Sequence, residues 1–215
     1  MIITVVVLRI VIAYLLGSLS GSLLVGRLRG VDVRKLGSGN AGGTNALRTQ
    51  GWRFALAVVL IDIGKGALAV WIAQRGVVAP LPQLQIGLLA AAAAVCGHVW
   101  PLFFGFRGGK GAATLVGGLL LLWPLVLLPL IGVWLLVVVC SGYVGLATML
   151  AGLALIPTAA LWALPPELMT WLLASVLIAV FLIFTHRENV QRLLQRREHR
   201  FERVRVIGRW LERHR

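Results

Sequence analysis

Five apolar stretches, each close to the length that crosses a lipid bilayer, leave this chain few folds to choose from. They run near residues 2–24, 53–73, 84–103, 143–163 and 167–185. A spanning helix needs about 20 such residues. Hydrocarbon offers no hydrogen-bond partner to the backbone, so each stretch must satisfy its own N–H and C=O groups as a helix. A further region, 112–140, has 29 residues with prolines at 124 and 129, long for one span and short for two full ones. Hydrophobic residues make up 59% of the 215 positions, which leaves no room for a separate soluble domain. The expected class is all-α, a polytopic integral membrane protein. The N-terminal stretch has no basic leader and is longer than a signal core, so it reads as the first span.

Charge sets the sidedness. The net charge is +14, concentrated in two places. Residues 186–215 carry ten arginines against four glutamates, and the loop from Gly26 to Arg53 carries six basic residues against one acid. Flanking apolar spans, these charges fit the positive-inside rule and anionic lipid better than nucleic acid. The turn from Gln74 to Gln83 carries only Arg75 and suits the outside. If 112–140 is two shortened helices broken at Pro124, the arginine-rich tail ends inside. That gives seven transmembrane helices, N-terminus outside and C-terminus cytoplasmic. Residues 1–189 then form the membrane domain and 190–215 a basic tail of amphipathic spacing.

Three polar islands interrupt the hydrocarbon pattern, and this topology puts all of them on the cytoplasmic face. The first is GSGNAGGTNALR, Gly37–Arg48. Gly37 and Gly39 let backbone N–H groups converge on an anion. Ser38, Asn40, Thr44 and Asn45 add neutral donors, and Arg48 can grip a phosphate with two parallel hydrogen bonds. A flexible turn would account for the glycines but not for these neighbours. The second island, Gly97–Gly111, ends in Arg107-Gly108-Gly109-Lys110-Gly111 before a helix start. Such a turn favours anions through the helix N-terminus. It is not a Walker A loop: Lys110 precedes glycine rather than Ser or Thr, so no nucleotide is implied. A basic loop obeying positive-inside needs the cations, though not the GGKG run. His98 reads as a general base, a phosphate donor or a structural helix-end histidine. In the third island, Thr185–Asn189, His186 and Asn189 share a helix face, and Glu188 can orient a histidine or cap a cation network.

In order and spacing these islands resemble the motifs of the acyl-phosphate:glycerol-3-phosphate acyltransferase family, PlsY type. That family carries motifs close to GSGNxGxTNxxR, GHxxPxFxxFxGGKG and HREN, matched here at Gly37–Arg48, Gly97–Gly111 and His186–Asn189. The resemblance covers most of residues 1–195. It implies a seven-helix bundle in the bacterial inner membrane with a cytoplasmic site. The implied reaction moves an acyl group from acyl phosphate to the 1-hydroxyl of glycerol 3-phosphate. Lysophosphatidic acid and phosphate result, the first acylation of phospholipid biosynthesis. The His-x4-Asp motif of the other large acyltransferase class is absent: Phe103 and Gln191 stand where its acid would follow His98 and His186. The chain departs from the family by its extension beyond the third motif. This reads as a basic amphipathic helix on anionic lipid, which catalysis is not expected to need.

Two phosphate-bearing substrates ask for two anion cradles. Ser38, Thr44, Asn45 and Arg48 with Lys110 would hold one phosphate. Gly108, Gly109, Gly111, His186 and Asn189 would hold the other, and the family resemblance favours the GGKG loop for glycerol 3-phosphate. Ser38, Arg48, Lys110, His186 and Asn189 are the expected catalytic set. Gly37, Gly39, Asn40, Thr44, Asn45, His98, Arg107, Gly108, Gly109, Gly111 and Glu188 are the expected binding set. Acyl phosphate brings a good leaving group, so positioning and charge stabilisation carry most of the rate. The base is His186 or a substrate phosphate oxygen. Ser38 as an acyl-enzyme nucleophile is less suited, having no histidine beside it. No metal or cofactor is implied: Cys96 and Cys140 belong to no metal-type cluster. Membrane lipid is the one further partner expected, with no nucleic acid and no obligate protein. Asp62 and Lys65, three residues apart in the second stretch, read as a structural ion pair, and Arg9 has no assigned role. The rival readings are a transporter of organic phosphates, which would place these groups on broken helices near mid-membrane, and a non-catalytic lipid-binding protein.

Overall fold

The computed structural model describes residues 2–75, 81–202 and 204–213. The regular structure is helical throughout the described residues, in two compact units, residues 1–124 and 125–215. Among the described residues, five helices are long and apolar enough to cross a membrane, six if one bent pair counts as a span. The protein is a multi-pass membrane protein. The outward turn expected near Gln74–Gln83 falls partly on residues 76–80, outside the described residues.

The first unit holds α1 (Ile2–Gly17), α2 (Gly21–Leu28), α3 (Gly43–Gln50), α4 (Trp52–Gln74), α5 (Gln83–Val99) and α6 (Ala112–Leu122). Small residues bring its helices together, as membrane packing requires where lipid is as apolar as leucine. Two pairs of glycines do this reciprocally. A methyl group on Gly17 of α1 would come within 2.0 Å of the Ala94 carbonyl oxygen of α5, and one on Gly97 of α5 within 2.1 Å of the Tyr14 carbonyl oxygen. Gly66 of α4 and Gly117 of α6 lie equally close to Thr114 and Ile63 backbone. Ala13, Ala69, Ala73, Ala90 and Ala94 fill the seam around Ile86. Leucines such as Leu60 stay exposed, as lipid-facing positions do. Arg9 also finds its role here. Its guanidinium donates to the carbonyls of Ala73 and Arg75 and so caps the C-terminus of α4.

Two expectations meet the backbone differently. The first stretch is not one helix: it breaks after Gly17 and resumes at Gly21 with a bend of 47°. Region 112–140 does divide near Pro124, into α6 and α7 (Leu127–Ser141) around a short 3-10 turn at Pro124–Val126. At 11 residues, α6 is about 16 Å long, well short of a hydrocarbon core of about 30 Å.

The second unit holds α7, α8 (Val144–Trp162), α9 (Leu168–Thr185), α10 (Arg187–Leu194) and α11 (Val206–Arg213). The C-terminal extension is not the single amphipathic helix its apolar spacing suggests. Arg196 adopts a left-handed conformation (φ 56°), and the chain turns back on itself between α10 and α11. The return is anchored on the α7–α8 turn. Phe201 N–H donates to the Gly142 carbonyl at 2.9 Å. Arg200 donates to the Tyr143 hydroxyl at 2.6 Å. Gly208 packs so near the Cys140 carbonyl that a side chain there would overlap it. The last apolar position of the expected pattern, residue 211, has its side chain outside the description.

Candidate functional site

The first island is a folded lobe. Val33, Ala41, Ala46, Phe54, Val58 and Phe104 form a buried core with Leu23 beneath it. Its clasp is Asn45, 1% exposed in the first turns of α3. Asn45 Oδ1 accepts the Ser38 N–H at 3.0 Å, and Nδ2 donates to the Val33 and Leu36 carbonyls, both at 3.0 Å. Both amide hydrogens are thus spent on the backbone. Asn45 shapes the loop and does not supply the phosphate donor expected of it. Gly37 is needed for the same reason: its φ of +55° is left-handed, and a Cβ would sit 2.4 Å from Asn45 Oδ1. Asn40 curls over Gly42, the N-cap of α3. Ser38 and Thr44 are half-buried, and Gly39 and Arg48 lie at the surface.

The second island lies against the first, held there by Arg34, which sequence reasoning passed over. Arg34 pairs with Asp32 at 2.9 Å and reaches on to the carbonyls of Phe104 at 2.9 Å and Arg107 at 3.2 Å. The Arg34 hydrogen bond holds the Asp32 carboxyl below its ordinary 3.8, and the same bond raises Arg34. The Asp-x-Arg spacing was the available signal, since Asp32 also accepts the Arg34 backbone N–H. Arg27 of α2 stacks on Phe104, its guanidinium 4.6 Å from the ring centre. Within the GGKG run, the N–H groups of Gly108 and Gly109 donate to Val99 and His98 carbonyls at the end of α5. They are therefore not the anion donors expected of them. Gly109 provides closeness instead. A Cβ there would lie 2.2 Å from His98 Nε2 and 2.9 Å from the Ala41 carbonyl oxygen of the first island. Gly111 takes φ +89° as N-cap of α6, whose first N–H groups have no partner within the helix. Lys110 is half-buried between these glycines, and Arg107 is exposed. Thr114 Oγ1, in the first turn of α6, is the one buried side-chain atom without a partner among the described residues.

Beneath this loop a buried polar cluster explains the broken helix. Lys65 Nζ has three protons and three acceptors: Asp62 Oδ1 at 2.9 Å, the Leu19 carbonyl at 3.1 Å and His98 Nδ1 at 2.8 Å. Asp62 Oδ1 in turn accepts the Gly21 N–H at 3.1 Å. Leu19 and Gly21 sit at the break between α1 and α2, whose freed carbonyl and N–H are matched to the cation and the anion of α4. The pair expected to be structural therefore also holds His98, one of the expected binding residues. An ammonium only donates, so Nδ1 of His98 accepts and its proton resides on Nε2. Nε2–H is the atom beside Gly109. The break supports the second island as well: Ser18 Oγ accepts the Leu102 N–H at 3.2 Å, and Tyr14 OH donates to the Trp100 carbonyl at 2.8 Å.

In the second unit, His186 is 5% exposed at the junction of α9 and α10. Its Nδ1 lies 2.8 Å from the Leu182 carbonyl. A carbonyl only accepts, so Nδ1 carries the proton and Nε2 the basic lone pair. The two histidines are thus held in opposite tautomers. Asn189 is 7% exposed and donates through Nδ2 to Glu198 Oε1 at 2.9 Å. Glu188 sits 63% exposed and 3.8 Å from Arg192, away from the histidine-orienting role considered for it. Glu198 is the residue the sequence did not single out. It is an acid inside a run of cations, in the extension expected to stand apart.

A family model described as glycerol-3-phosphate acyltransferase matches residues 7–196. A glycerol-3-phosphate acyltransferase of Azotobacter vinelandii is 44% identical over 192 residues, covering 89% of this chain and 97% of that protein. One of Chlorobaculum tepidum is 38% identical over 218 residues, covering 89% and 94%. Among solved structures, the chain is similar to PlsY, an integral membrane glycerol 3-phosphate acyltransferase, in its glycerol 3-phosphate form. The TM-score is 0.82 at 35% identity, over 91% of this chain and 95% of that one. The lysophosphatidic acid form gives a TM-score of 0.81 at 34% identity.

Proposed function

The chain belongs to the glycerol-3-phosphate acyltransferase family, and from that premise we propose that it acylates the 1-hydroxyl of glycerol 3-phosphate with acyl phosphate as donor. The hydroxyl oxygen attacks the acyl carbonyl carbon. A new C–O ester bond forms, and the bond from that carbon to the phosphate oxygen breaks. Phosphate departs with the electron pair. The hydroxyl proton passes to His186 Nε2 or to a phosphate oxygen. The products are lysophosphatidic acid and inorganic phosphate. Relatives with glycerol 3-phosphate and lysophosphatidic acid forms support the acceptor and the product. The donor rests on the three motifs and the missing His-x4-Asp pattern.

The observation that carries the reading is the joining of the two glycine-rich islands, with His98 Nε2 against Gly109 and Arg34 bridging the loops. This brings together the two islands that carry Arg48, Arg107 and Lys110, whose charges would offset those of anionic substrates. We assign Ser38, Thr44, Arg48 and Lys110 to one phosphate, with Gly37, Gly39, Asn40 and Asn45 shaping the loop. His98 Nε2–H and the start of α6 after Gly111 serve glycerol 3-phosphate, with Gly108 and Gly109 giving close approach. The orphaned Thr114 hydroxyl favours a polar guest near that helix start. His186 is the protein group placed to take the proton where a phosphate oxygen does not, and Asn189 orients the acceptor. Residues 1–189 act as the membrane domain in the cytoplasmic (inner) membrane. The seven spans are α1–α2 together, α4, α5, α6, α7, α8 and α9, with the N-terminus outside and the islands facing the cytoplasm.

The test is phosphate release from palmitoyl phosphate by the purified protein. Release that requires glycerol 3-phosphate supports acyl transfer. Release at the same rate without it would reveal a phosphatase, and no release from folded protein would favour transport of organic phosphates.

A further inference from the structure

We propose that Glu198, in the extension beyond the family-matched residues 7–196, is a positioning residue that sets the amide of Asn189 for the acceptor substrate. This rests on the assignment of Asn189 to glycerol 3-phosphate made above.

Asn189 sits on α10, three residues after His186, with its amide packed against the α8 backbone. A Cβ on Gly145 would lie 2.6 Å from Asn189 Nδ2 and 2.8 Å from its Cγ. Gly145 therefore gives the amide room without directing it. Glu198, whose side chain is only 4% exposed, holds one end of that amide. One carboxylate oxygen accepts from Asn189 Nδ2 at 2.9 Å. The other accepts from Arg192 Nε at 2.7 Å. An ionised carboxylate can only accept, so it turns the NH2 end of Asn189 toward itself and fixes the opposite end as the carbonyl. Arg192 supplies the charge that lets Glu198 be buried at this place.

The carboxylate reaches Asn189 only because the chain reverses after α10. Arg196 takes the left-handed turn at φ 56°, and the Arg197 N–H returns to the Arg192 carbonyl at 2.8 Å. Arg200 and Phe201 then tie the returning strand to Tyr143 and Gly142. Arg196, Arg197 and Arg200 are exposed, whereas the Glu198 side chain between them is turned in. A tail serving only as a lipid-binding surface has no need of a buried carboxylate on a motif residue. The extension is thus built into the third island.

The experiment measures kcat, the KM of each substrate and Tm in detergent for the full-length protein. The variants are Glu198→Gln, Glu198→Ala, Asn189→Ala, the double Glu198→Ala/Asn189→Ala, and Glu202→Ala as the control. Losing a charged hydrogen bond predicts that Glu198→Ala raises the KM for glycerol 3-phosphate roughly tenfold. The KM for palmitoyl phosphate should stay within about twofold. Glu198→Gln keeps one acceptor oxygen and should give a smaller rise of roughly threefold. The double variant should match Asn189→Ala within about twofold, because the two residues act as one. Glu202, 54% exposed and 3.5 Å from Arg205, should give wild-type kinetics when replaced. Wild-type kinetics for Glu198→Gln and Glu198→Ala beside an impaired Asn189→Ala would overturn the proposal. So would an equal loss for both substrates that follows a fall in Tm. Should Glu198→Ala not fold, or Asn189→Ala show no turnover, the KM split of Glu198→Gln decides alone. A fully active Asn189→Ala would instead remove the assignment on which the proposal rests.

Discussion

Lys65→Met removes the centre of the buried cluster and is the most demanding perturbation of this account. It deletes three hydrogen bonds at once, those to Asp62, Leu19 and His98. Asp62 is 1% exposed and keeps its charge with only the Gly21 N–H and His98 nearby. Breaking a buried pair by removing one partner costs about 3–5 kcal/mol. For a chain of this size that is a fall in Tm of roughly 6–20 °C. A second effect is chemical. With the ammonium gone, His98 Nδ1, 3.3 Å from Asp62 Oδ1, becomes the donor to that carboxylate. In the neutral ring the proton then leaves Nε2, and the loop loses a hydrogen-bond donor beside Gly109. The double variant Asp62→Asn/Lys65→Met removes both charges, so most of the lost stability should return. Activity should not return, because Nε2–H is no longer enforced. The assays are thermal unfolding in detergent and acyl transfer on the same preparations. Stability losses of the two single variants that simply add in the double would refute the pairing. A stable, fully active Lys65→Met would refute the tautomer argument.

Other outcomes follow from the same geometry. Gly109→Ala places a Cβ 2.2 Å from His98 Nε2, and overpacking of about 1–3 kcal/mol should displace the loop and cut turnover at least about tenfold. Normal turnover would show that the loop has slack there. Arg48→Lys should lower kcat/KM severely, because a point charge does not replace a planar fork; wild-type kinetics would remove the bidentate role. The Asp32–Arg34 pair depresses a carboxyl, so its support is full above about 3.8 and is lost only as pH falls through the lowered value. Amide exchange of residues 33–39, corrected for intrinsic rate, should be unchanged from pH 7 to 5 and faster in Asp32→Asn at every pH in that window. Loss of wild-type protection between pH 7 and 5 would contradict the assignment.

Where the sequence was legible, the signal was local. Membrane-length apolar runs, the division of 112–140 near Pro124 and the three islands are all written in neighbouring residues. The ion pair at Asp62 and Lys65 was visible too, three residues apart on one helix. Its partners were not, because they are the backbone of Leu19 and Gly21 at a break inside an apolar stretch. The Gly/Ser run Gly17–Ser22 interrupts the apolar pattern locally, but only the tertiary match of carbonyl and N–H to the α4 charges shows what the break serves. Asn45 and the Gly108 and Gly109 N–H groups were read as donors to phosphate because donor chemistry is what a sequence displays. Which donors the fold consumes internally depends on carbonyls far along the chain or at a helix end. Glu198 was hidden by composition: one acid among arginines reads as a solvated charge until the left-handed turn at Arg196 brings it to Asn189.

The measurement closest to the central claim is donor choice. Purified protein in detergent is given labelled glycerol 3-phosphate with palmitoyl phosphate or, in parallel, palmitoyl-CoA. Labelled lysophosphatidic acid is expected from palmitoyl phosphate and none from the CoA ester. Product formed from palmitoyl-CoA would contradict a site built around a phosphate leaving group.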